Sequence, residues 1–334
     1  RTDSVQIFIC GRRYVNAAAP AGGDGASWAT AFNNLDDALA YNAGGCGPEI
    51  WVAAGTYRPG KDHTGNTNPA DPRRKTFLLP TGVRIYGGFV GNESSIEARN
   101  IVAHATILSG DIGTLGTDSD NCYHVALALA PNSKSLLDGL RIEDGRANGS
   151  GQFSGAGLDV LDSQGAGLYV TNGAHTLRQV TIRDNRSTFG GGGLLSFADS
   201  LRMERSSFLD NAASTGAGVF ASGTYLSLTN SVLHNNTATG TGGGLFLNVA
   251  NASLTGNTIV ANNASAVRLE SGQTLLANNL FWANALGGND QQSGADVSKQ
   301  GAATATFQHN LLQLPYGNYA LGGTEQGNVF GVMP

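Results

Sequence analysis

Residues able to do chemistry recur at a regular interval in the second half of this chain. The residue before a repeated Asn reads Asp144, Asp184, Asp210 and His234. If equivalent positions stack, Asp184 and Asp210 stand where one carboxylate raises the pKa of the other and lets it act as an acid. With His234 beside them, that column suits hydrolysis of a glycosidic bond. Asp beside Asn is also ordinary turn chemistry, the carboxylate accepting backbone N–H groups, and this is the simpler reading. A second set, Arg178 and Arg202, accompanied by Arg183, Arg186 and Arg205, can hold the carboxylates or sulfates of an anionic glycan through bidentate contacts. Asp184, Glu204 and Asp210 share the neighbourhood, so a solvated ladder of ion pairs explains the same residues. A β-elimination lyase wants a basic residue near charge-neutralising groups, and of the four lysines only Lys134 and Lys299 fall in the repeated region.

Two further groups complete the candidates. The residue after the inward apolar position runs Arg183, Leu209, Leu233, Val260 and Trp282, a stripe that either offers Trp282 to a sugar or partner or turns inward at a corner. Asp118, Asp120 and Asn121 are hard oxygen donors for Ca²⁺ but lack the spacing of a recognised loop, so no metal is expected.

Whatever positions these residues repeats with them. An apolar residue stands three before an Asn in Ile182–Asn185, Phe208–Asn211, Val232–Asn235, Ile259–Asn262 and Phe281–Asn284, so Asn185, Asn211, Asn235, Asn262 and Asn284 recur every 22 to 27 residues. In phase with them runs a small-residue triplet ending on an apolar residue: Gly165–Leu168, Gly191–Leu194, Gly216–Val219 and Gly242–Leu245. A third apolar position, Leu177, Leu201, Leu228, Leu254 and Leu275, falls between the two. Each unit therefore carries three short strands separated by turns. Strands this short bury an apolar side only by stacking on equivalent strands, about 4.8 Å apart. The fold expected is all-β, a right-handed parallel β-helix with three sheets, whose Asn residues form a ladder.

Residues 1–49 read as an N-terminal cap with a strand at Tyr14 and a short helix from Leu35 to Tyr41, N-capped by Asn33 or Asn34. Residues 50–334 read as the solenoid, clearest over 140–312, interrupted by a polar loop from Arg58 to Lys75 and by a Gly/Ser-rich insertion, Ala147 to Gly157, expected to project from the prism. A natural C-terminal cap or anchor is expected beyond the chain. Gly is 48 of 334 residues and charged residues only 13%, but an apolar fraction of 40% argues for folding over disorder. A net charge of −5 lacks the basic footprint that nucleic acid requires, and no run of 18 apolar residues marks a transmembrane helix. A Cys10–Cys46 bridge stapling the N-terminal end is open beside three buried thiols, with Cys122 a small buried hydrophobe.

The paired Phe-x-x-Asn and Gly-Gly-Ala/Gly-Leu motifs over residues 140–290 resemble the polymorphic outer-membrane protein repeats, a group of bacterial surface β-helices. Tyr14-Val-Asn, Ser27-Trp-Ala-Thr-Ala-Phe, Gly82-Val-Arg-Ile-Tyr-Gly-Gly-Phe89 and Asp120-Asn-Cys-Tyr-His-Val125 resemble the leader of large proteins of that kind. The resemblance implies export in a Gram-negative bacterium, a secreted or cell-surface address, and a role in adhesion, surface assembly or glycan binding, with polysaccharide, other surface proteins or further copies of the chain as partners. It carries no catalytic signature and no cofactor. A polysaccharide lyase or glycoside hydrolase, and a structural filament subunit, are the alternatives.

Overall fold

The computed structural model describes residues 11–41, 47–284, 296–313 and 325–331. One coil shows the plan. Leu168–Thr171 lies on a first face, Ala174–Arg178 on a second and Thr181–Arg183 on a third. Each pairs in parallel and in register with its equivalent one coil on: Leu168 with Leu194, Leu177 with Met203, Ile182 with Phe208. The third face is a ten-stranded sheet. The first two belong to one sixteen-stranded sheet, because Val219–Thr229, Leu245–Thr255 and Val267–Ala277 run unbroken around the corner between them. Alternate side chains of the stacked strands point inward over most of the solenoid and form one continuous core along the axis, with Leu168, Leu177, Ile182, Phe208, Phe281 and Phe307 fully buried. The chain is a three-faced parallel β-helix.

The corners explain the Gly and Asn content. Gly191 turns at φ +63°, and a Cβ on Gly193 would stand 2.7 Å from the carbonyl oxygen of Gly218 in the next coil, so the coils stack only if that position is bare. At the end of the third face, Asp184, Asp210, Asn235, Ala261 and Ala283 all adopt the left-handed conformation, with φ between 52° and 56°. The residue after each enters the interior. The buried ladder is therefore Asn185, Asn211, Asn236, Asn262 and Asn284, with steps of 26, 25, 26 and 22 residues. Each Nδ2 donates to the Oδ1 of the next Asn, at 2.8 to 3.2 Å.

This corrects the expected position Asn235, which is exposed. The doublet Asn235-Asn236 lets the apolar-x-x-Asn pattern match in two registers, and burial selects Leu233–Asn236 over Val232–Asn235: Leu233 is fully buried and Val232 is 37% exposed. The second-face apolar row also differs from its expected form. It runs Leu177, Met203, Leu228, Leu254, Leu276 and Phe307. Leu201 is inward but stands level with His175 and Leu226, and Leu275 points outward. A second ladder occupies the corner between faces two and three. Asn257, Asn279, Asn310 and Asn328 are linked by Nδ2 to Oδ1 bonds of 2.9, 3.0 and 3.1 Å, and it continues towards the N-terminus through Ser231, whose N–H donates to Asn257 Oδ1 and whose hydroxyl accepts from Ser206 N–H.

The N-terminal strand Arg12–Val15 pairs with Glu49–Ala53, the first of the stack. The helix Leu35–Ala40 is N-capped by Asn34, whose side chain accepts from Asp37 N–H, and it packs Leu35, Ala38 and Leu39 into the core. The Ala147–Gly157 insertion does not project. It begins an antiparallel hairpin, Gln152–Gly155 with Leu158–Leu161, that lies back on the first face and buries Phe153 and Val160 against Leu127, Leu129, Tyr169 and Leu195. Cys122 is a buried free thiol, which burial pushes well up from its ordinary pKa; Cys10 and Cys46 lie outside the described residues.

Two histidines are sealed inside. His175 meets the Ser135 hydroxyl at 2.8 Å and, through Nε2, the Asn172 carbonyl at 2.8 Å. His124 Nδ1 is 3.0 Å from the Gly165 carbonyl, and its Nε2 is buried without a partner among the described residues. Burial holds both below the ordinary histidine pKa. The unfolded chain therefore takes up these protons below about pH 6.5 while the fold does not, and stability falls as pH drops below that value. Each histidine adds a slope approaching about 1.4 kcal/mol per pH unit. Denaturation series between neutral pH and pH 5 should show this decline, with a shallower slope for His175→Gln; equal slopes for the two proteins would refute it.

Candidate ligand-binding face

The sequence-predicted acids stand at the corner after the third face, and none is free. Arg183 reaches the carboxylate of Asp184 with Nε at 2.5 Å and that of Asp210 with Nη2 at 4.0 Å. Asn235 Nδ2 donates to the other Asp210 oxygen at 2.7 Å. Hydrogen bonding to Asp184, followed by its charge, holds the Arg183 guanidinium firmly protonated. His234 is not in this column. It pairs with Leu209 and Val260, one position earlier in the coil, so Asp184, Asp210 and His234 do not form the expected stack. The shift has the same origin as that of Asn235. It also corrects the outer stripe, which runs Arg183, Leu209, His234, Val260 and Trp282. Leu233 belongs to the core, whereas Trp282 is half-buried on the outside, next to fully buried Phe281.

Arg178 and Arg202 do not share a column either. Arg178 is level with Asp138 and Glu204, Arg202 with Thr176 and Ser227, two residues apart along the strand. Arg178 Nε donates to Asp138 Oδ2 at 2.6 Å, while Arg99 Nη2 donates to Asp138 Oδ1 at 2.6 Å; Asp138 is fully buried. That is an internal ion cluster tying the Ile96–Asn100 segment to the coils. Arg202 lies over the Tyr225 ring at 5.3 Å. At the other end Asp118 is held by Arg146 at 3.2 Å and one Asp120 oxygen accepts from Thr114 N–H at 2.7 Å, while Asn121 Nδ2 donates to the Asp144 carbonyl; the second Asp120 oxygen and Asn121 Oδ1 are buried without a partner among the described residues. Among the described residues, no three His, Cys, Asp or Glu side chains gather where they can hold a metal ion.

The outer side of the first face presents a different feature. Directly after the inward apolar residue of each triplet stand Tyr169, Leu195, Phe220 and Phe246, in register from coil to coil. Phe220 and Phe246 stack with centroids 4.8 Å apart and planes at 11°. Their faces cover one another and their edges point out. Phe197, one pleat further along, is 6.1 Å from both Tyr169 and Phe220 and tilted by 54° and 59°, so neither neighbour covers its ring. The hairpin covers Tyr169 and Leu195 and stops there, leaving Phe197 41% exposed; Phe189, in the turn before the same strand, is 60% exposed. Alongside the rings runs a polar row: Ser222, Asn248 and Ser271 are neighbours across successive strands, with Ser271 Oγ donating to Asn248 Oδ1 at 2.7 Å. Arg268, next in the ring column, reaches Glu270 at 3.2 Å. A row of aromatic groups beside a row of hydroxyl and amide groups can stack on the C–H faces of a ligand and hydrogen-bond its hydroxyls. The sequence carries this signal in Leu194-Leu195, Val219-Phe220 and Leu245-Phe246, one residue past the small-residue triplet and its apolar residue.

A family model for the right-handed β-helix region matches residues 146–312, half of the chain. The chain belongs to the right-handed β-helix family. The matched β-helix region contains the first Asn ladder from Asn185 to Asn284, the hairpin and every exposed ring of the open face. No curated protein and no solved structure matches the chain.

Proposed function

We propose that this β-helix is an exported surface protein that holds a neutral polysaccharide along the open first face without cleaving it. The observation that carries the reading is the combination of the uncovered rings Phe189 and Phe197, which flank the first-face segment of one coil, with the Ser222–Asn248–Ser271 row that runs along the axis at the repeat of the coils. An extended polymer matches a solenoid because both repeat in one dimension. Arg268 and Glu270 on this face pair with each other, which favours a neutral chain over a polyanion. Asp184 and Asp210 already carry Arg183 and Asn235 as partners, so the face that binds is separate from the acids that a hydrolase would use. The surface address and the adhesive role rest on the resemblance to polymorphic outer-membrane repeats.

Affinity electrophoresis through gels containing neutral glucans, xylans or galactans should retard the protein. Each aromatic stacking contact is worth about 0.5–1.5 kcal/mol beyond area burial, so removing two rings together in Phe189→Ala/Phe197→Ala should weaken binding by about tenfold or more. Trp282→Ala, on another face, should not. Retention unchanged by the double substitution, or lost with Trp282 instead, would defeat the proposal.

A further inference from the structure

The two insertions that break the coil pattern meet at one place. The Arg58–Lys75 loop and the Gln152–Leu161 hairpin, together with the helix Leu35–Ala40 and the strand Phe77–Leu78, line a half-open cavity of about 440 Å³. Its walls are mostly aliphatic, formed by Leu39, Leu78, Leu79, Pro80, Leu129 and Ala156. Four ionisable groups line it; two are engaged in ion-pair or hydrogen-bond contacts, and His63 is stacked with its Nδ1 unpartnered among the described residues. Lys61 Nζ sits on Asp37 at 3.0 Å, outside the lining. The Asp62 carboxylate accepts from the backbone of Thr64 and Asn66 and from the Thr64 hydroxyl. His63 is stacked on Phe153 at 4.0 Å, and burial draws its pKa down, so it stays neutral.

Asp36 is different. One oxygen accepts from Gly60 N–H at 2.9 Å, and the carboxylate has no ion pair among the described residues. Desolvation pushes its pKa up, with Lys61 only partly offsetting it. A carboxylate held among aliphatic side chains with no cation in direct contact is costly until a cation reaches it. The volume falls in the range of small-molecule sites.

We infer that this cavity binds a small primary amine with an apolar body, the body against Leu39, Leu79 and Leu129 and the ammonium on Asp36. The site lies on the far side of the hairpin from the open ring face and does not depend on polysaccharide binding. Its chemistry sets the selectivity, because an alcohol of the same shape fills the apolar space and can donate one hydrogen bond to the carboxylate but cannot neutralise its charge.

The test uses the full chain with cyclohexylmethylamine and cyclohexylmethanol as probes, followed by ligand-observed NMR and calorimetry near neutral pH. The amine should bind at least tenfold more tightly than the alcohol. Asp36→Asn should bring the two to equal affinity, and Leu78→Trp, which fills the cavity from a strand position already 39% exposed, should remove both. Glycan retention should be unchanged in either variant. Equal affinity of amine and alcohol for the unaltered protein, no binding of the amine at millimolar concentration, or amine binding that survives Leu78→Trp would overturn the inference. If Asp36→Asn does not fold, the Leu78→Trp result and the amine–alcohol ratio decide it.

Discussion

Asn236→Ala is expected to cost the fold about 3–5 kcal/mol, and its neighbour Asn235→Ala less than about 1 kcal/mol. Asn236 is fully buried; its Nδ2 donates to the Phe208 carbonyl at 2.9 Å and to Asn262 Oδ1 at 2.8 Å. Its Oδ1 accepts from Asn211 N–H at 3.2 Å and from Asn211 Nδ2 at 3.0 Å. Truncation orphans donors and acceptors in the coils on both sides, each worth roughly 1–3 kcal/mol when buried without a partner. Asn235 makes one exposed bond, to Asp210, and holds a left-handed conformation that Ala261 and Ala283 hold at the equivalent positions. Alanine is therefore tolerated there. Urea denaturation of the two variants measures the difference directly; a larger loss for Asn235 than for Asn236 would mean that the ladder runs in the other register.

Asp138→Ala should destabilise by a similar amount, about 3–5 kcal/mol, because it leaves two cations facing a vacated interior position. Arg99 is 8% exposed at its side chain and Arg178 36%, so Arg99 bears most of the cost. Removing the more exposed partner in Arg178→Ala should cost less than removing Asp138. Both variants should bind polysaccharide as the parent does once folded, since the cluster lies on the second face. A mild Asp138→Ala phenotype in denaturation, or a specific loss of binding with Arg178→Ala, would return Arg178 to the ligand surface.

Much of the β-helix was legible from spacing alone, because each coil repeats the same inward apolar residues and the same bare corner. Gly191–Leu194 and its equivalents were placed in register with one another, and they pair as expected. Errors arose where a pattern fitted twice. The Asn235-Asn236 doublet satisfied the motif in two frames, and only packing chose between them, carrying His234 and Leu233 to their actual columns. Arg178 and Arg202 were joined because both follow an apolar residue in the second-face strand, although Leu177 aligns with Met203 and not with Leu201. The second ladder has no sequence repeat to mark it, because it begins with Ser206 and Ser231 and becomes Asn only at Asn257. The ring face was missed for another reason: Phe220 and Phe246 look like core residues until the pleat shows that their predecessors, Val219 and Leu245, fill the core. The amine cavity depends on segments nearly a hundred residues apart, which no local pattern joins.

The most direct test of the central claim measures retention and turnover in the same samples. The purified chain and its Phe189→Ala/Phe197→Ala variant are incubated with a panel of neutral polysaccharides, and bound protein, new reducing ends and new unsaturated ends are followed together over time. The expected result is saturable binding by the parent, weakened about tenfold in the variant, with no growth of either kind of chain end. Accumulating chain ends that depend on Asp184 or Asp210, or binding indifferent to Phe189 and Phe197, would contradict it.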